Sequence, residues 1–377
     1  MNKLLPDVCR IQYGYPFDSS KFSVDLGVPL IRIRDVVRGY SETYTIEDCS
    51  EEYIVNDGDM LIGMDGEFNI AHWKGGKAYL NQRVCRLIPS DEVDALYLFY
   101  FMPKALKAIE DKTPFVTVKH LSAKELNKVV VPLPLLDEQK KIASSLQKVD
   151  ELIALRKEQL AKLDQLVKSR FIELFGALHD NEKGLDIVTI EEVCMLIKDG
   201  THQTPTYTED KQNGFKFLSS KDVMTQKICW EDIKYIPADL HEKLYATIQP
   251  KRNDILMSKN GVNYGVAAVN DTDEIFDIYV SLALLRPKVD RVNPVFFRCV
   301  INNPDTKLQF DSSIKGIGVP NLHLGEIKKT KILLPPMSQQ NEFVAFVEQT
   351  DKSKLAIQQS LDKLELLKKS LMQEYFG

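Results

Sequence analysis

The feature that most constrains this chain of 377 residues is an internal repeat. Residues 134–176 and 335–377 align without a gap at one offset of 201, the spacing from Gly176 to Gly377. Identities include Pro134/Pro335, Gln139/Gln340, Asp150/Asp351, Leu160/Leu361, Lys162/Lys363 and Leu163/Leu364. They continue with Leu166/Leu367, Lys168/Lys369, Ser169/Ser370, Glu173/Glu374, Phe175/Phe376 and Gly176/Gly377. A bias toward leucine and lysine would produce some of these matches. It would not place the opening proline and the closing Phe-Gly in one register. Self-similarity at a fixed spacing predicts a fold that is built twice.

Each copy reads as one long helix. Pro132, Pro134, Pro335 and Pro336 stop a preceding strand, Asp137 and Ser338 are candidate N-caps, and Gly176 and Gly377 stand where a C-terminal glycine belongs. A rod of this length spans about 57 Å. In the first copy Ile142, Leu146, Val149, Ile153, Leu160, Leu163, Val167 and Leu174 fall on alternating three- and four-residue steps, interrupted by Arg156 and Arg170. The second carries Phe343, Val347, Ile357, Leu361, Leu364, Leu371 and Tyr375, with Thr350, Lys354 and Lys368 at seam positions. These are coiled-coil seams with polar breaks. A solitary rod would be poorly supported, so the two are expected to pack on each other. The simplest arrangement is antiparallel, with one globular region at each end.

The chain thus divides into a head at 1–133, a helix at 134–176, a second head at 177–333 and a second helix at 334–377. Both heads look β-rich, with candidate strands at 28–33, 59–64, 83–88, 215–218, 254–257, 264–269 and 279–285. They echo each other. The stretch Asp57-Gly58-Asp59-Met60-Leu61-Ile62-Gly63 resembles Arg252-Asn253-Asp254-Ile255-Leu256-Met257-Ser258. Val118-Lys119-His120-Leu121 answers Val319-Pro320-Asn321-Leu322 at the offset of 201. The whole chain reads as a diverged duplication whose heads vary more than its rods.

Hydrophobic residues at 44% and charged residues at 27% are ordinary globular composition. No apolar stretch is long enough for a membrane span and no secretion signal is apparent, so a cytoplasmic, membrane-free protein is expected. The cysteines Cys9, Cys49, Cys85, Cys194, Cys229 and Cys299 lack the paired spacing of a zinc or redox motif and read as reduced thiols. No Gly-x-Gly-x-x-Gly loop, Walker loop, histidine cluster or adenine-methyltransferase Asn/Asp-Pro-Pro-aromatic motif occurs. Asn293-Pro294-Val295-Phe296 and Asn303-Pro304-Asp305 are turns. No catalytic residue, metal site or bound cofactor is expected. The net charge of −5 and pI near 5.8 argue against a nucleic-acid binder unless basic faces are local or a partner carries the positive charge.

Specific strings meet a known family. Tyr13-Gly14-Tyr15-Pro16-Phe17-Asp18-Ser19-Ser20-Lys21-Phe22, Pro29-Leu30-Ile31-Arg32-Ile33-Arg34-Asp35, Gly63-Met64-Asp65-Gly66-Glu67-Phe68-Asn69 and Leu80-Asn81-Gln82-Arg83-Val84-Cys85-Arg86-Leu87 resemble a target-recognition domain of Type I restriction–modification DNA specificity subunits. So do Asp199-Gly200-Thr201-His202-Gln203-Thr204-Pro205, Phe217-Leu218-Ser219-Ser220-Lys221-Asp222-Val223 and Gly318-Val319-Pro320-Asn321-Leu322. Pro335-Pro336 and Gln339-Gln340 close the pattern. The resemblance implies an α+β fold: two mixed, β-rich target-recognition domains separated by two long antiparallel helices that form a coiled coil with pseudo-two-fold symmetry. It implies a non-catalytic reader in which each domain takes one half of a split double-stranded DNA site and the helices set the gap. It also implies two docked modification (methyltransferase) subunits and restriction subunits. S-adenosylmethionine, ATP and Mg would then be used on those partners. The rival reading from the residues is a coiled-coil scaffold whose heads bind proteins.

DNA readers place Lys, Arg and backbone amides on phosphates and Arg, Lys, Asn, Gln and Ser on base edges, with glycine loops allowing close approach. In the second head the candidates are Thr201, His202, Ser219, Ser220, Lys221, Lys259, Asn260, Asn263, Tyr264, Lys315 and Asn321. In the first they are Lys74, Lys77, Asn81, Gln82, Arg83, Lys119 and His120, the last two after Thr117-Val118. Arg32 and Arg34 are read as alternating along a strand and sharing one face. For each, an exposed hairpin loop or ordinary surface charge is the plainer alternative. Tyr13, Tyr15 and Phe17 read as packing residues rather than stacking ones. On the rods, Lys140, Lys141, Lys157, Lys162 and Lys168 are either a solvated face or a docking surface.

Overall fold

The computed structural model describes residues 1–113, 119–314 and 320–377. The chain packs as two units, residues 1–158 with 358–377, and residues 159–357. The boundary cuts both long helices, so each unit holds one head and a part of each rod.

The first unit runs through β1 (Asn2–Leu4), α1 (Leu5–Val8), β2 (Cys9–Tyr13), β3 (Phe22–Ser23), β4 (Val28–Ile31), α2 (Ile33–Arg38), β5 (Tyr44–Thr45) and β6 (Ile54–Val55). It continues with β7 (Met60–Gly63), β8 (Asn69–His72), β9 (Ala78–Leu80), β10 (Val84–Pro89), α3 (Ala95–Lys112), α4 (Ala123–Leu126), β11 (Val130–Pro132) and the start of α5 (Leu136–Phe175). Strands β2-β10-β7-β8 form an antiparallel sheet. Side chains alternate along a strand, so the sheet has two faces. Met60, Ile62, Cys85 and Leu87 pack toward α3, while Leu61 and Val84 pack against Ile31, Val36, Trp73 and Leu80. Burial on both faces explains why these strands read as nearly unbroken apolar runs. The second face is covered by β3-β5-β4-β9-β6, in which β4 and β9 run parallel. Helix α3 starts where the Asp94 carboxylate accepts the Tyr97 N–H at 2.9 Å.

The second unit repeats this plan with β12 (Asp186–Thr189), α6 (Ile190–Val193), β13 (Cys194–Asp199), β14 (Phe215–Leu218), β15 (Lys234–Ile236), α7 (Ala238–Tyr245), β16 (Ile255–Ser258), β17 (Ala267–Val269) and β18 (Phe276–Ile278). Then follow β19 (Leu282–Pro287), α8 (Pro294–Ile301), α9 (Pro304–Ser313), α10 (Leu324–Lys329), β20 (Lys331–Leu334) and α11 (Met337–Phe376). Its sheet is β13-β19-β16-β17. Ile255, Met257, Ala283 and Leu285 face the α8 side, and Leu256, Leu282 and Leu284 face Leu218 and Phe276. Strands β14 and β18 pair in parallel, as β4 and β9 do.

Registers make the duplication explicit. Cys9 opposite Pro89 answers Cys194 opposite Pro287, and Met60 and Val84 answer Ile255 and Leu282. The offset therefore grows along the heads from Cys9/Cys194 and reaches its full value by Leu121/Leu322. Insertions in the second head's loops account for this. The echo of 57–63 in 252–258 falls on the equivalent strands β7 and β16.

Several sequence-based boundaries move. The strand expected at 28–33 ends at Ile31, and Arg32 becomes the N-cap of α2, whose N–H donates to Asp35 Oδ2 at 2.9 Å. Arg32 and Arg34 thus do not alternate along a strand. The Asp35 carboxylate, buried beneath, makes this stretch turn into a helix. The expected strand at 279–285 begins only at Leu282, and that at 264–269 at Ala267. The long helices begin at Leu136 and Met337, so Asp137 and Ser338 lie in the first turn instead of capping it.

Within each unit the long helices run antiparallel: residue numbers rise along one and fall along the other. In the first, Asp150 meets Lys368 at 2.6 Å, and Arg156 Nε donates to Ser360 Oγ at 3.2 Å. In the second, Asp164 meets Lys354 at 2.5 Å and Glu342 meets Arg170 at 3.5 Å. The charged breaks Arg156, Arg170, Lys354 and Lys368 are therefore cross-helix contacts, whereas the Thr350 hydroxyl donates to Phe346 O of its own helix at 2.9 Å. Buried Gln139 and Gln340 tie each rod to its head in the same way. Gln139 Oε1 accepts the Asp94 N–H at 2.9 Å while its Nε2 donates to Glu92 O and Pro134 O. Gln340 Oε1 accepts the Asn293 N–H at 2.8 Å, and its Nε2 donates to Arg291 O and Pro335 O.

Candidate nucleic-acid interface

In an antiparallel sheet, the ends of strands running one way adjoin the starts of those running the other. In the first head this gathers the end of β2, the end of β7 and the starts of β8 and β10. In the second it gathers the equivalent ends of β13 and β16 with the starts of β17 and β19. Many of the candidate residues lie at these two sheet ends.

A crossing requires glycine at both. Tyr15 N–H donates to Leu80 O at 2.8 Å and Gln82 N–H to Tyr15 O at 3.0 Å. A Cβ on Gly14 would lie 2.1 Å from Asn81 O; one on Gly200 would lie 2.4 Å from Tyr279 O. A second clip joins the loop after β7 to the segment before α4. Leu121 N–H donates to Met64 O at 2.7 Å and Gly66 N–H to Lys119 O at 2.9 Å. The second head repeats it with Leu322 to Lys259 O at 2.8 Å and Gly261 to Pro320 O at 3.0 Å. Gly66 and Gly261 take φ of 77° and 85°, where side chains are disfavoured.

In the first head these clips bring Asn81, Gln82, Arg83, Lys119 and His120 together. Asp65, which the sequence reading passed over, organises them. His120 Nδ1 is 2.5 Å from Asp65 Oδ1 and Arg83 Nε is 3.6 Å from Oδ2. Arg83 is 53% exposed and Gln82 is exposed, so both reach outward. Lys119 turns back, its Nζ donating to Glu110 O at 2.8 Å near the C-terminus of α3. The start of α2 adjoins this end as well, since a Cβ on Gly63 would come within 3.2 Å of the Ile33 side chain. That carries Arg32 and Arg34, both exposed, to the neighbourhood. Arg34 Nη2 donates to Thr43 Oγ1 at 3.2 Å.

In the second head Thr201, His202, Lys259, Asn260, Asn263 and Asn321 converge. Lys259 is inside, 5% exposed by its side chain, with Nζ 2.8 Å from Asp199 Oδ1, an ion-pair distance off the hydrogen-bonding direction. His202 is exposed, 3.6 Å from the other oxygen of Asp199. Asn260 bridges to Asn321 along the backbone. Tyr264 is buried; its hydroxyl donates to Asp311 and Lys307 lies over its ring, so it supports the loop from beneath. Ser219, Ser220 and Lys221 take the places of Arg32, Ile33 and Arg34, and Ser219 N–H donates to Asp222 Oδ2 at 2.7 Å as Arg32 does to Asp35. Ser220 N–H donates to Ser281 Oγ at 3.0 Å, fixing this turn to the start of β19.

Lys74 and Lys77 lie elsewhere, beyond the far end of β8, with Lys74 beside Gly39 at the end of α2. Thr117, Val118 and Lys315 lie outside the described residues. Tyr15 and Phe17 pack in an edge contact with ring centroids 4.9 Å apart, and Phe17 stacks on Tyr79.

Unspent hydrogen-bonding capacity concentrates at the same ends. Buried polar atoms are nearly always paired, and an unpaired one costs about 1–3 kcal/mol. Among the described residues seven buried side-chain atoms lack a hydrogen-bond partner, and Tyr13 Oη, Asn69 Oδ1, Asp199 Oδ1 and Asn260 Oδ1 are four of them. All four lie at the two sheet ends. Burial pushes the Tyr13 phenol up to about 12. Asp65, Asn69 and Asp199 were within the motif strings but not among the candidates; the Asp-Gly pairs Asp65-Gly66 and Asp199-Gly200 were the available signal. Among the described residues no group of three or more His, Cys, Asp or Glu is placed to hold a metal ion, and no helix is long and apolar enough to cross a membrane.

Comparison with known proteins bears on this site. The family model for the Type I restriction modification DNA specificity domain matches residues 1–165 and 182–367. The chain is 28% identical to the EcoBI Type I restriction enzyme specificity subunit of Escherichia coli, over 99% of this chain and 84% of that one. It is 24% identical to the MjaVIII specificity subunit of Methanocaldococcus jannaschii, over 87% and 80%. Among solved structures, a Type I S subunit from M. genitalium superposes with a TM-score of 0.60 at 14% identity, over 100% of this chain and 96% of that one. A structure from a study of Type I complex assembly gives 0.57 at 17% identity, over 100% and 97%. These structural likenesses concern the fold.

Proposed function

The chain belongs to the Type I restriction–modification DNA specificity family, whose members are non-catalytic recognition subunits, and from that premise we propose that each of its heads reads one half of a bipartite double-stranded DNA site. The observation that carries the reading is the pair of equivalent sheet ends, built on the same glycine crossing and the same loop clip but presenting different side chains. A common platform with unlike surfaces is what two half-sites of unlike sequence require. Arg32, Arg34, Gln82, Arg83 and Asn81 are the contacts proposed in the first head. His202, Thr201, Ser219, Ser220, Lys221, Asn263 and Asn321 are those in the second. Phosphate contacts would come from the lysines and backbone amides, base contacts from Arg, Asn and Gln.

The helices would carry the partners. Leu152, Leu155, Leu366 and Leu367 in the first unit, and Leu166, Ile172 and Leu355 in the second, are apolar and exposed on the rods. Exposed apolar rows on a helix pair support docking of further helices. Two modification subunits would bind there and use S-adenosylmethionine, and restriction subunits using ATP and Mg would join them in the cytoplasm. The partners would then supply the positive charge that a chain of net charge −5 lacks.

Exchanging residues 1–133 for the head of another family member, followed by methylome sequencing of the host, tests this. One half of the methylated motif should change and the other remain. A change in both halves, or in neither, defeats the reading. A scaffold whose heads bind proteins would give no sequence-specific DNA shift even with the modification subunits present.

A further inference from the structure

Resting on the reading of each head as the reader of one half-site, we propose that Arg83 reads a guanine in the half-site of the first head, with Asp65 and His120 as the residues that position it.

Arg83 stands just before β10, and its carbonyl accepts the Met64 N–H at 3.0 Å, so its backbone is fixed to the loop after β7. Asp65 and His120 face each other in an isolated antiparallel bridge beside it. A carboxylate only accepts, so His120 Nδ1, 2.5 Å from Asp65 Oδ1, carries its hydrogen toward that oxygen. The other oxygen, Oδ2, is 3.6 Å from Arg83 Nε, and Arg83 Nη1 is 3.4 Å from the imidazole nitrogen. The guanidinium is thereby held from its Nε side. Its Nη2 has no partner among the described residues, and the side chain is exposed.

Two features favour a base edge over a phosphate. Asp65 is itself anionic, and a carboxylate beside the guanidinium opposes a phosphate there more than it opposes a neutral acceptor. A planar fork held in one orientation also matches guanine, whose N7 and O6 acceptors lie side by side in the major groove. Lys119, the other cation at this bridge, is engaged inside: its Nζ donates to Glu110 O at 2.8 Å and lies 3.6 Å from Glu110 Oε1.

The second head has the same frame without the cation. Lys259 N–H donates to Ser281 O at 3.0 Å as Met64 N–H does to Arg83 O, and Asn260 bridges Asn321 as Asp65 bridges His120. Arg83, Asp65 and His120 are thus answered by Ser281, Asn260 and Asn321. Ser281 is buried, and its hydroxyl oxygen accepts the Ser220 N–H at 3.0 Å. Matching backbones that carry a charged trio in one head and neutral side chains in the other suit the reading of different bases.

The test is a polarisation titration of labelled duplexes with the full chain bound to its modification subunits. The duplexes carry 7-deazaguanine, which keeps its pairing and lacks the N7 acceptor, in place of each guanine in turn. They are scored in the half-site that exchange of residues 1–133 assigns to this head. For the parent complex, replacement at one guanine should raise Kd by about tenfold or more. Arg83→Ala should bind the unmodified duplex more weakly and respond to the same replacement by less than about twofold. Asp65→Asn should fall between the two, and Asp65→Glu, which keeps the carboxylate, should restore most of the discrimination. Lost stability alone would weaken every duplex alike and leave that ratio unmoved; an unchanged Tm checks that the variants fold. A parent complex indifferent to every replacement, or a half-site with no guanine on either strand, overturns the proposal. Arg83→Ala that keeps the parent's sensitivity assigns Arg83 to a phosphate and equally overturns it. A ratio unmoved by Asp65→Asn overturns the positioning role. If exchange of residues 1–133 alters both halves of the site or neither, the two-head reading itself fails, and the guanine contact with it.

Discussion

Tyr13 and Met64 in the first head occupy the places that Asp199 and Lys259 occupy in the second. Tyr13 lies opposite Cys85 as Asp199 lies opposite Ala283, and Met64 O receives the Leu121 N–H as Lys259 O receives that of Leu322. One head fills this point beneath its outward loops with an aromatic ring and a thioether. The other fills it with an ion pair whose lysine is buried. A duplicated scaffold therefore tolerates opposite solutions at one point as long as volume is filled and charge is paired. The lysine that looked like a DNA contact is turned inward, and the charge available to a ligand in the first head is instead on Arg83, held by a partly exposed aspartate.

The strongest way to break this comparison is Lys259→Met, which leaves Asp199 without its counter-charge. It should destabilise the second head by about 3 kcal/mol, whereas the double change Asp199→Tyr with Lys259→Met, which copies the first head, should return close to the parent stability. Urea unfolding of the full chain measures both. A double variant as unstable as the single one would show that the two points are not interchangeable. In the first head Arg83→Ala should change stability by less than about 1 kcal/mol, because its pair with Asp65 is exposed.

The glutamine clamps sharpen the comparison from the other side, since there the heads agree. Gln139→Leu and Gln340→Leu each leave a buried N–H and two carbonyls unpaired and should each cost about 1–3 kcal/mol. Equal losses in the urea midpoint would confirm that head-to-rod attachment was retained while the outward surfaces diverged. A loss confined to one would make the attachment asymmetric.

The smallest effect is a labelling difference. Burial pushes the Cys9 thiol up to about 11 and those of Cys85 and Cys194 up to about 12, whereas Cys229 is exposed. The thiolate is the reactive form, so a raised value means less of it at any given pH. At pH 8 a maleimide should label Cys229 promptly and leave the other three unmodified in the folded chain, as read by mass spectrometry of the peptides. Prompt labelling of Cys194 but not of Cys9, its equivalent, would show that the second core opens locally and the first does not.

Much of this was legible in the sequence. The rods were, because a helix seam is a local periodicity and each break in it (Arg156, Lys354, Lys368) could be counted from its neighbours. The resemblance to the specificity family was, because its strings lie on the strands and turns that both heads share. Within the heads the equivalence was only partly visible, since loop insertions shift the offset between Cys9/Cys194 and Leu121/Leu322, and no single spacing runs through them.

By itself the sequence determined that the fold is built twice, that each half ends in a long helix, and to which family the chain belongs. These follow from contacts between residues three or four apart and from short strings read in order. Only the tertiary structure decided that Tyr15, Asp65, Arg83 and His120 meet at one sheet end, that Lys259 faces inward, and that Arg32 caps a helix. Those outcomes depend on which strands pair and in what register, and the energy that selects the pairing is spread over both faces of a buried sheet, far in sequence from the residues it brings together.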